Sequence, residues 1–298
     1  MDGNERSRFR RVCGIAAALI ITVALVGFAA YALHFMLTEI GPAAEAAAKM
    51  LIPAPDGADG AAEPTPAEEE ASGSAKIIRE FSAAAPDEVT AAAANVVAVA
   101  VVFQGGELAV GTGFILRDGV IITSAHLVES REPDEPVLAV KVLCDDRIKD
   151  GYLEHYDVTR DAAVVAANCP GRMLFLDERP AKNGEKLFAS GLTFDPDGGP
   201  TTHFLISAPA DGSKRLKDLD FSSYPKGTVE KMRRLLKKGV PEPRGIKTVF
   251  VPGNSGSMIV RGDGGVVGML VISDDKLGMS FYVPAKNILH VLGEAGLE

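Results

Sequence analysis

An all-β fold is predicted for residues 78–298 of this 298-residue chain. Three observations predict it. Short runs rich in Val, Ile, Leu and Phe recur from Asn95 onward. Turn signals bearing Gly, Pro or Asp separate them, the pattern of a sandwich or barrel. Only two stretches have helical periodicity. With 47% apolar and 24% charged residues, the chain can bury a sizeable core.

The chain begins differently. Residues 1–11 carry Arg6, Arg8, Arg10 and Arg11, and residues 12–37, VCGIAAALIITVALVGFAAYALHFML, contain no Asp, Glu, Lys or Arg. A helix needs about 20 apolar residues to cross a bilayer, so 12–37 reads as a single transmembrane anchor. The arginines before it, with Glu39 and Glu45 after it, make 1–11 a cytoplasmic tail and put the remainder in the periplasm or outside the cell. The alternative is a cleaved signal peptide ending near Ala30-Tyr31-Ala32; both readings export the rest. Residues 38–77 are rich in Ala, Pro and Glu and lack aromatics, so they read as a disordered linker.

The strand-like runs follow in order. VVAVAVVF (96–103), LAVGTGFIL (108–116) and VIITSAHLV (120–128) come first, the last two joined by a turn at Arg117-Asp118-Gly119. VLAVKVLC (137–144), YLEHYDV (152–158) and AAVVAANC (162–169) form a second meander. HFLISA (203–208), KTVFV (247–251), MIV (258–260), VVGMLVIS (266–273) and MSFYVPA (279–285) complete the set. The helices are expected at about 227–239, ended by Gly239 and Pro241, and over KNILHVLGEAG at the C-terminus.

Charge and cysteine usage narrow the function. Lys and Arg number 31 against 40 Asp and Glu, a net charge of −9, which argues against a general nucleic-acid binder. Three cysteines, none in a CxxC, argue against a disulfide-dense scaffold and a structural zinc site. Nothing in the sequence calls for a metal or a cofactor.

Three residues carry chemistry: His126 in ITSAHLV, Asp161 in YDVTRDAAVV and Ser255 in PGNSGSMIV. Hydrolysis of an amide by serine needs a base for the hydroxyl proton and a carboxylate to orient that base. It also needs backbone N–H groups to hold the oxyanion. The order His, Asp, Ser is one of three chain orders known for this constellation. Gly253 lets the backbone turn so that amides of the Gly253-Asn254-Ser255 segment converge on one oxygen. His155, His203 and His290 lack such a context and read as structural.

The chain from about 86 to 293 resembles a trypsin-like, chymotrypsin-fold serine protease of the HtrA/Deg type. GTGFILRDGVIITSAHLV (111–128) resembles the strand–turn–strand that delivers the family histidine, and DVTRDAAVV (157–165) its aspartate segment. GNSGS (253–257) with GDGGVVGMLV (262–271) resembles its serine loop and next hairpin, and SFYVPAKNILHVL (280–292) its closing strand and helix. The resemblance implies two six-stranded antiparallel β-barrels with a C-terminal helix, the site lying between them. It also implies that polypeptide substrates pair with the strand around Leu270–Ile272. Ser257 departs from the usual Gly, and no segment remains for a PDZ domain.

By the same resemblance Val249, six residues before Ser255, stands at the base of the substrate pocket, with Leu270 and Val271 on its wall. An apolar base disfavours Lys or Arg and favours an aliphatic residue before the scissile bond. The neutral Asn254 cannot form the ion pair that activates zymogens of the digestive branch.

Cys144 and Cys169 fall at the same end of the second meander and suit either a disulfide or two buried thiols. Residues 209–246 exceed the family's usual connection and hold about twice as many Lys and Arg as Asp and Glu. Their helix has an apolar stripe of Val229, Met232, Leu235 and Leu236, enough to dock it on the domain, with membrane or partner binding as the alternative. The function expected is that of a membrane-anchored serine endopeptidase. A catalytically silent or activator-dependent binding module, and a viral or phage processing protease, are the alternatives.

Overall fold

The computed structural model describes residues 78–81, 85–130, 135–195 and 199–297. The tail, anchor and linker over 1–77 lie outside the described residues. Among the described residues no helix is long and apolar enough to cross a membrane.

Strand β1 (Ile78–Phe81) and helix α1 (Asp87–Ala93) precede two closed barrels of six strands. The first contains β2 (Val96–Phe103), β3 (Leu108–Arg117), β4 (Val120–Thr123), β5 (Val137–Cys144), β6 (Arg147–Asp157) and β7 (Ala162–Ala167). It closes in the order β2-β3-β4-β7-β6-β5, with the one-turn helix α2 (Ala125–Val128) after β4. The second contains β8 (Lys186–Phe194), β9 (Pro200–Asp211), β10 (Arg244–Ile246), β11 (Met258–Val260), β12 (Val266–Asp274) and β13 (Met279–Pro284). It closes as β8-β9-β10-β13-β12-β11, and β1 is added in parallel to β9. Helix α3 (Lys226–Leu235) lies between β9 and β10, and α4 (Ala285–Glu294) ends the domain.

The strand sequences explain the layers. β2 and β12 are apolar almost throughout and buried on both faces, whereas β6 alternates solvent-facing Arg147, Asp150 and Tyr152 with half-buried positions. Val97, Val99, Val101, Ile121 and Val165 fill the first barrel. Leu187, Ala189, Ile259, Leu270 and Tyr282 fill the second. A third cluster, including Phe114, Ile122, Phe188, Met258 and Ile288, joins the two barrels. The flanking helices cross over: α1, which leads into the first barrel, packs on β8 of the second, and α4, which leaves the second, packs on β7 of the first.

Several elements differ from expectation. The run 120–128 is strand only to Thr123, then turns into α2. The run 247–251 is not a strand: the Thr248 amide donates back to Ile246 O, and β10 precedes it. Its alternation of exposed Val249 and Val251 with buried Phe250 mimics a strand but belongs to a loop. β8, absent from the sequence reading, contains Ala189, Ser190 and Gly191, residues of weak strand preference. A Cβ at Gly191 would overlap the side chain of Ser257, so the small residue is required where these two strands meet. α3 runs over 226–235, stopping short of 239, with Met232 and Leu235 buried as the stripe requires.

Cys144 and Cys169 form a disulfide with Cα atoms 6.1 Å apart, joining the end of β5 to the residues after β7. The sulfurs are not free thiols. Closing a loop of 25 residues in the unfolded chain is worth about 3.5 kcal/mol by the chain-entropy relation. Replacing both cysteines by serine should therefore lower the melting temperature by roughly 5–15 °C. Calorimetry checks this; an unchanged melting temperature would mean that the bridge contributes nothing.

Candidate active site

His126 stands on α2, where the chain leaves β4 and turns over the mouth of the first barrel. Its neighbours Ser124, Ala125, Leu127 and Val128 are buried, which fixes the turn. Asp161 opens β7. It adopts φ +49°, a left-handed conformation that Asp tolerates better than most residues. The preceding turn is held by Asp157, whose carboxylate accepts hydrogen bonds from Thr159 N at 2.7 Å, Thr159 Oγ1 at 2.6 Å and the Arg160 guanidinium. These bonds bring Asp161 beneath the histidine. Asp161 Oδ1 accepts the His126 backbone N–H at 3.0 Å, and both carboxylate oxygens lie 2.9–3.0 Å from Nδ1. With the Nδ1 proton given to Asp161, Nε2 keeps a lone pair and can take a proton.

Burial alone would push the Asp161 carboxyl up. The charges of His126 and Lys231 and the hydrogen bonds from His126 outweigh it and hold the group well below the usual carboxylate range. Burial pushes the His126 imidazole down, and the net shift stays downward because Lys231 reinforces it against the upward pull of Asp161. Asp161 is therefore charged and His126 neutral at pH 7.

Ser255 comes from the second barrel, on the loop before β11. Gly253 and Gly256 both take positive φ, +91° and +90°. A Cβ at 256 would overlap Thr112 O, so no larger residue fits there. Thr112, on β3, pins the loop: its N–H donates to Ser255 O at 3.0 Å and its Oγ1 to Gly253 O at 3.1 Å. Among the described residues the amides of Gly253 and Ser255 donate to no protein acceptor. Asn254 differs from expectation. Its N–H is taken by Val251 O at 3.1 Å, and its buried side chain donates to Leu192 O at 2.6 Å. It braces the loop and has no amide left for an oxyanion, whereas the amides of Gly253 and Ser255 remain without a protein acceptor among the described residues.

Ser255 lines a cleft of about 480 Å³ with Phe250, Leu270, Val271, Ile272 and Asp274. Leu270 and Val271 stand where the sequence reading put them. Val249 does not: it is 40% exposed and outside the cleft lining, while Phe250, one residue on, is buried there. The reason is that 247–251 is a loop, which presents Phe250 inward. Asp274 is spoken for by the Tyr224 hydroxyl and by the amides of Lys276 at 2.9 Å and Leu277 at 3.1 Å.

Two residues at the site escaped the sequence reading. Thr112 sits in the GTG motif that was noted only as part of a strand. Lys231, on α3, reaches His126 and Asp161, with Nζ 3.0 Å from His126 Nδ1, 3.5 Å from its Nε2 and 3.2 Å from Asp161 Oδ2. Its signal was the interruption of a basic helix by an apolar stripe: Lys231 adjoins Met232, so it points toward the body it docks on.

Residues 111–269, just over half of the chain, match the trypsin-like peptidase domain family. Serine protease HTRA1B of Danio rerio is 27% identical over 199 residues, which cover 63% of this chain and 35% of that protein. Serine protease HTRA1A of the same organism is 27% identical over 207 residues, covering 65% and 36%. The chain thus spans about a third of the length of the curated relatives it matches. Among solved structures, the active form of the Rv3671c protease of M. tuberculosis is similar with a TM-score of 0.53 and 20% identity, covering 80% of this chain and 95% of that one. Its inactive form gives 0.51 and 22%, covering 73% and 99%. These two are likenesses of fold. The match over 111–269, together with the two barrels and the motifs in the order His, Asp, Ser, makes this chain a member of the trypsin-like peptidase domain family, and the domain is similar to those of HtrA-type serine proteases.

Proposed function

We propose that this chain is a membrane-anchored serine endopeptidase acting outside the cytoplasm, with Ser255 as nucleophile, His126 as general base and Asp161 as the carboxylate that orients it. The observation that carries the reading is the double contact of Asp161 with His126 Nδ1 at 2.9 and 3.0 Å, in a site that also offers Ser255 and two uncommitted amides. In the proposed reaction Ser255 Oγ attacks the peptide carbonyl while its proton passes to His126 Nε2. Asp161 stabilises the imidazolium so formed. The carbonyl oxygen, now an oxyanion, accepts from Gly253 N–H and Ser255 N–H. The imidazolium returns the proton to the leaving amine, and water then releases the acyl group by the same steps. Ser255→Ala or His126→Ala should lower turnover of a peptide substrate by roughly 10⁴–10⁶ while the fold, followed by circular dichroism, is kept. Near wild-type turnover in either variant would remove the assignment.

An aliphatic residue before the scissile bond suits the cleft. Phe250, Leu270 and Ile272 offer apolar surface. Asp274 already accepts on both oxygens, and Asp275 on the same wall stands beside Lys276. A Lys or Arg side chain laid on the apolar part of the wall would shed water without gaining a charge of its own, whereas an aliphatic one gains about 25 cal/mol per Å² buried. Peptide-library profiling should show Val, Leu or Ala before the cut; a preference for Lys or Arg would overturn this.

The membrane placement rests on the arginines before 12–37 and the absence of charge within that run. A reporter fused after residue 75 should be active only outside the cytoplasm, and the protein should resist carbonate extraction with its N-terminus intact. A soluble product beginning near Leu33 would identify a cleaved signal instead.

A further inference from the structure

The lysine at the triad has no part in the mechanism just described, and its contacts oppose it. Lys231 Nζ donates to Val271 O at 2.7 Å and lies 3.2 Å from Asp161 Oδ2 and 3.0 Å from His126 Nδ1. Each contact has a chemical consequence. Val271 lies on the strand with which an extended substrate pairs, so a donor already on its carbonyl takes the place of a substrate N–H. Asp161 shares its charge between the imidazole and the ammonium. The third contact bears on the base itself, because Nζ also lies 3.5 Å from Nε2. The Nδ1 proton goes to Asp161, so the lone pair that an ammonium can meet on the ring is that of Nε2. A lone pair engaged by the ammonium is withheld from the proton of Ser255. The same contact therefore competes with Ser255 for the base. Consistent with this, among the described residues no hydrogen bond joins Ser255 Oγ to His126.

Helix α3 is built to hold the lysine there. Met232 and Leu235 are fully buried, and the Arg234 guanidinium pairs with Glu129, three residues after His126. Tyr224 and Thr228, from the same insertion, form part of the cleft wall.

We propose that α3 is an intramolecular latch, in which Lys231 occupies the substrate's acceptor on Val271 and withholds His126 from Ser255 until the helix is displaced. This rests on the peptidase reading above. The latch differs from a structural lysine in three readouts. Removing Lys231 frees Val271 O, so KM falls. It frees the Nε2 lone pair for the proton of Ser255, so kcat rises. It removes a cation from a base whose other charged neighbours among the described residues are Asp161 and Glu129, with Arg234 beside the lysine, so the acidic limb of the kcat/KM profile moves to higher pH.

The test compares the full-length protein in detergent as wild type, Lys231→Met, Arg234→Gln and Ser255→Ala. The rate of labelling by a serine-reactive fluorophosphonate and the turnover of an aliphatic peptide are read. Lys231→Met should label and turn over faster, on the order of tenfold or more, with the pH shift just given. Arg234→Gln, which loosens the helix without touching the triad, should act in the same direction and carries the test if Lys231→Met does not fold. Wild-type labelling that is abolished in Ser255→Ala, but not raised in the folded latch variants, overturns the latch and leaves the peptidase standing. No labelling in any form, the variants included, overturns both.

Discussion

One buried threonine ties the Ser255 loop to the strand that leads to His126. Thr112 belongs to the first barrel, yet its N–H and hydroxyl donate to Ser255 O and Gly253 O of the second. Its hydroxyl also accepts from Leu192 N at 3.1 Å, and its carbonyl accepts from Thr123 Oγ1 at 2.7 Å. Every polar atom of this residue is thereby committed across the seam or to the strand that leads to His126. A buried hydrogen bond contributes only about 1 kcal/mol net, but a buried partner left unpaired costs about 1–3 kcal/mol. The asymmetry means that the loop has one low-energy position relative to β3. The serine, the two amides and the histidine hold their spacing because the seam between the barrels cannot slip without stranding several of these groups at once.

The electrostatics of the site follow from its depth. A carboxylate as buried as that of Asp161 is stable only with compensation nearby. The structure supplies it from two sources, an imidazole and an ammonium. In the proposed reaction the imidazolium formed during proton transfer would take over the compensation, and the ammonium would become redundant. Competition for one carboxylate therefore links the position of α3 to the state of the reaction.

Much of this was legible in the chain. The runs 96–103, 137–144 and 258–260 are strands with the limits the sequence suggests, because Val-rich segments between turn residues have few other options. The His, Asp and Ser motifs could be found because each sits beside one end of a strand, where the backbone must turn. β8 was not legible, since its Ala-Ser-Gly centre is dictated by what packs across it, Ser257 among others, and not by its own preference. Val249 was misplaced for a related reason. Its position was carried over from the resemblance, and here 247–251 is a loop that turns Phe250 inward. Thr112 and Lys231 act across separations of 141 residues to Gly253 and 105 to His126, and local patterns carry no trace of such pairings.

The crossing of the flanking helices has a consequence for how the domain could be divided. His126 and Asp161 are held by the first barrel and Ser255 by the second, so neither half alone carries the proposed site. Yet α1 rests on β8, α4 rests on β7, and the Arg117 guanidinium reaches Leu297 O at the other end of the chain. Each half thus carries a handle that fits the other. A cut in the connection between β7 and β8 would leave two fragments still clasped at both ends. The fold lends itself to fragment complementation, in which two separately made polypeptides regenerate one site on association, and activity would report that association.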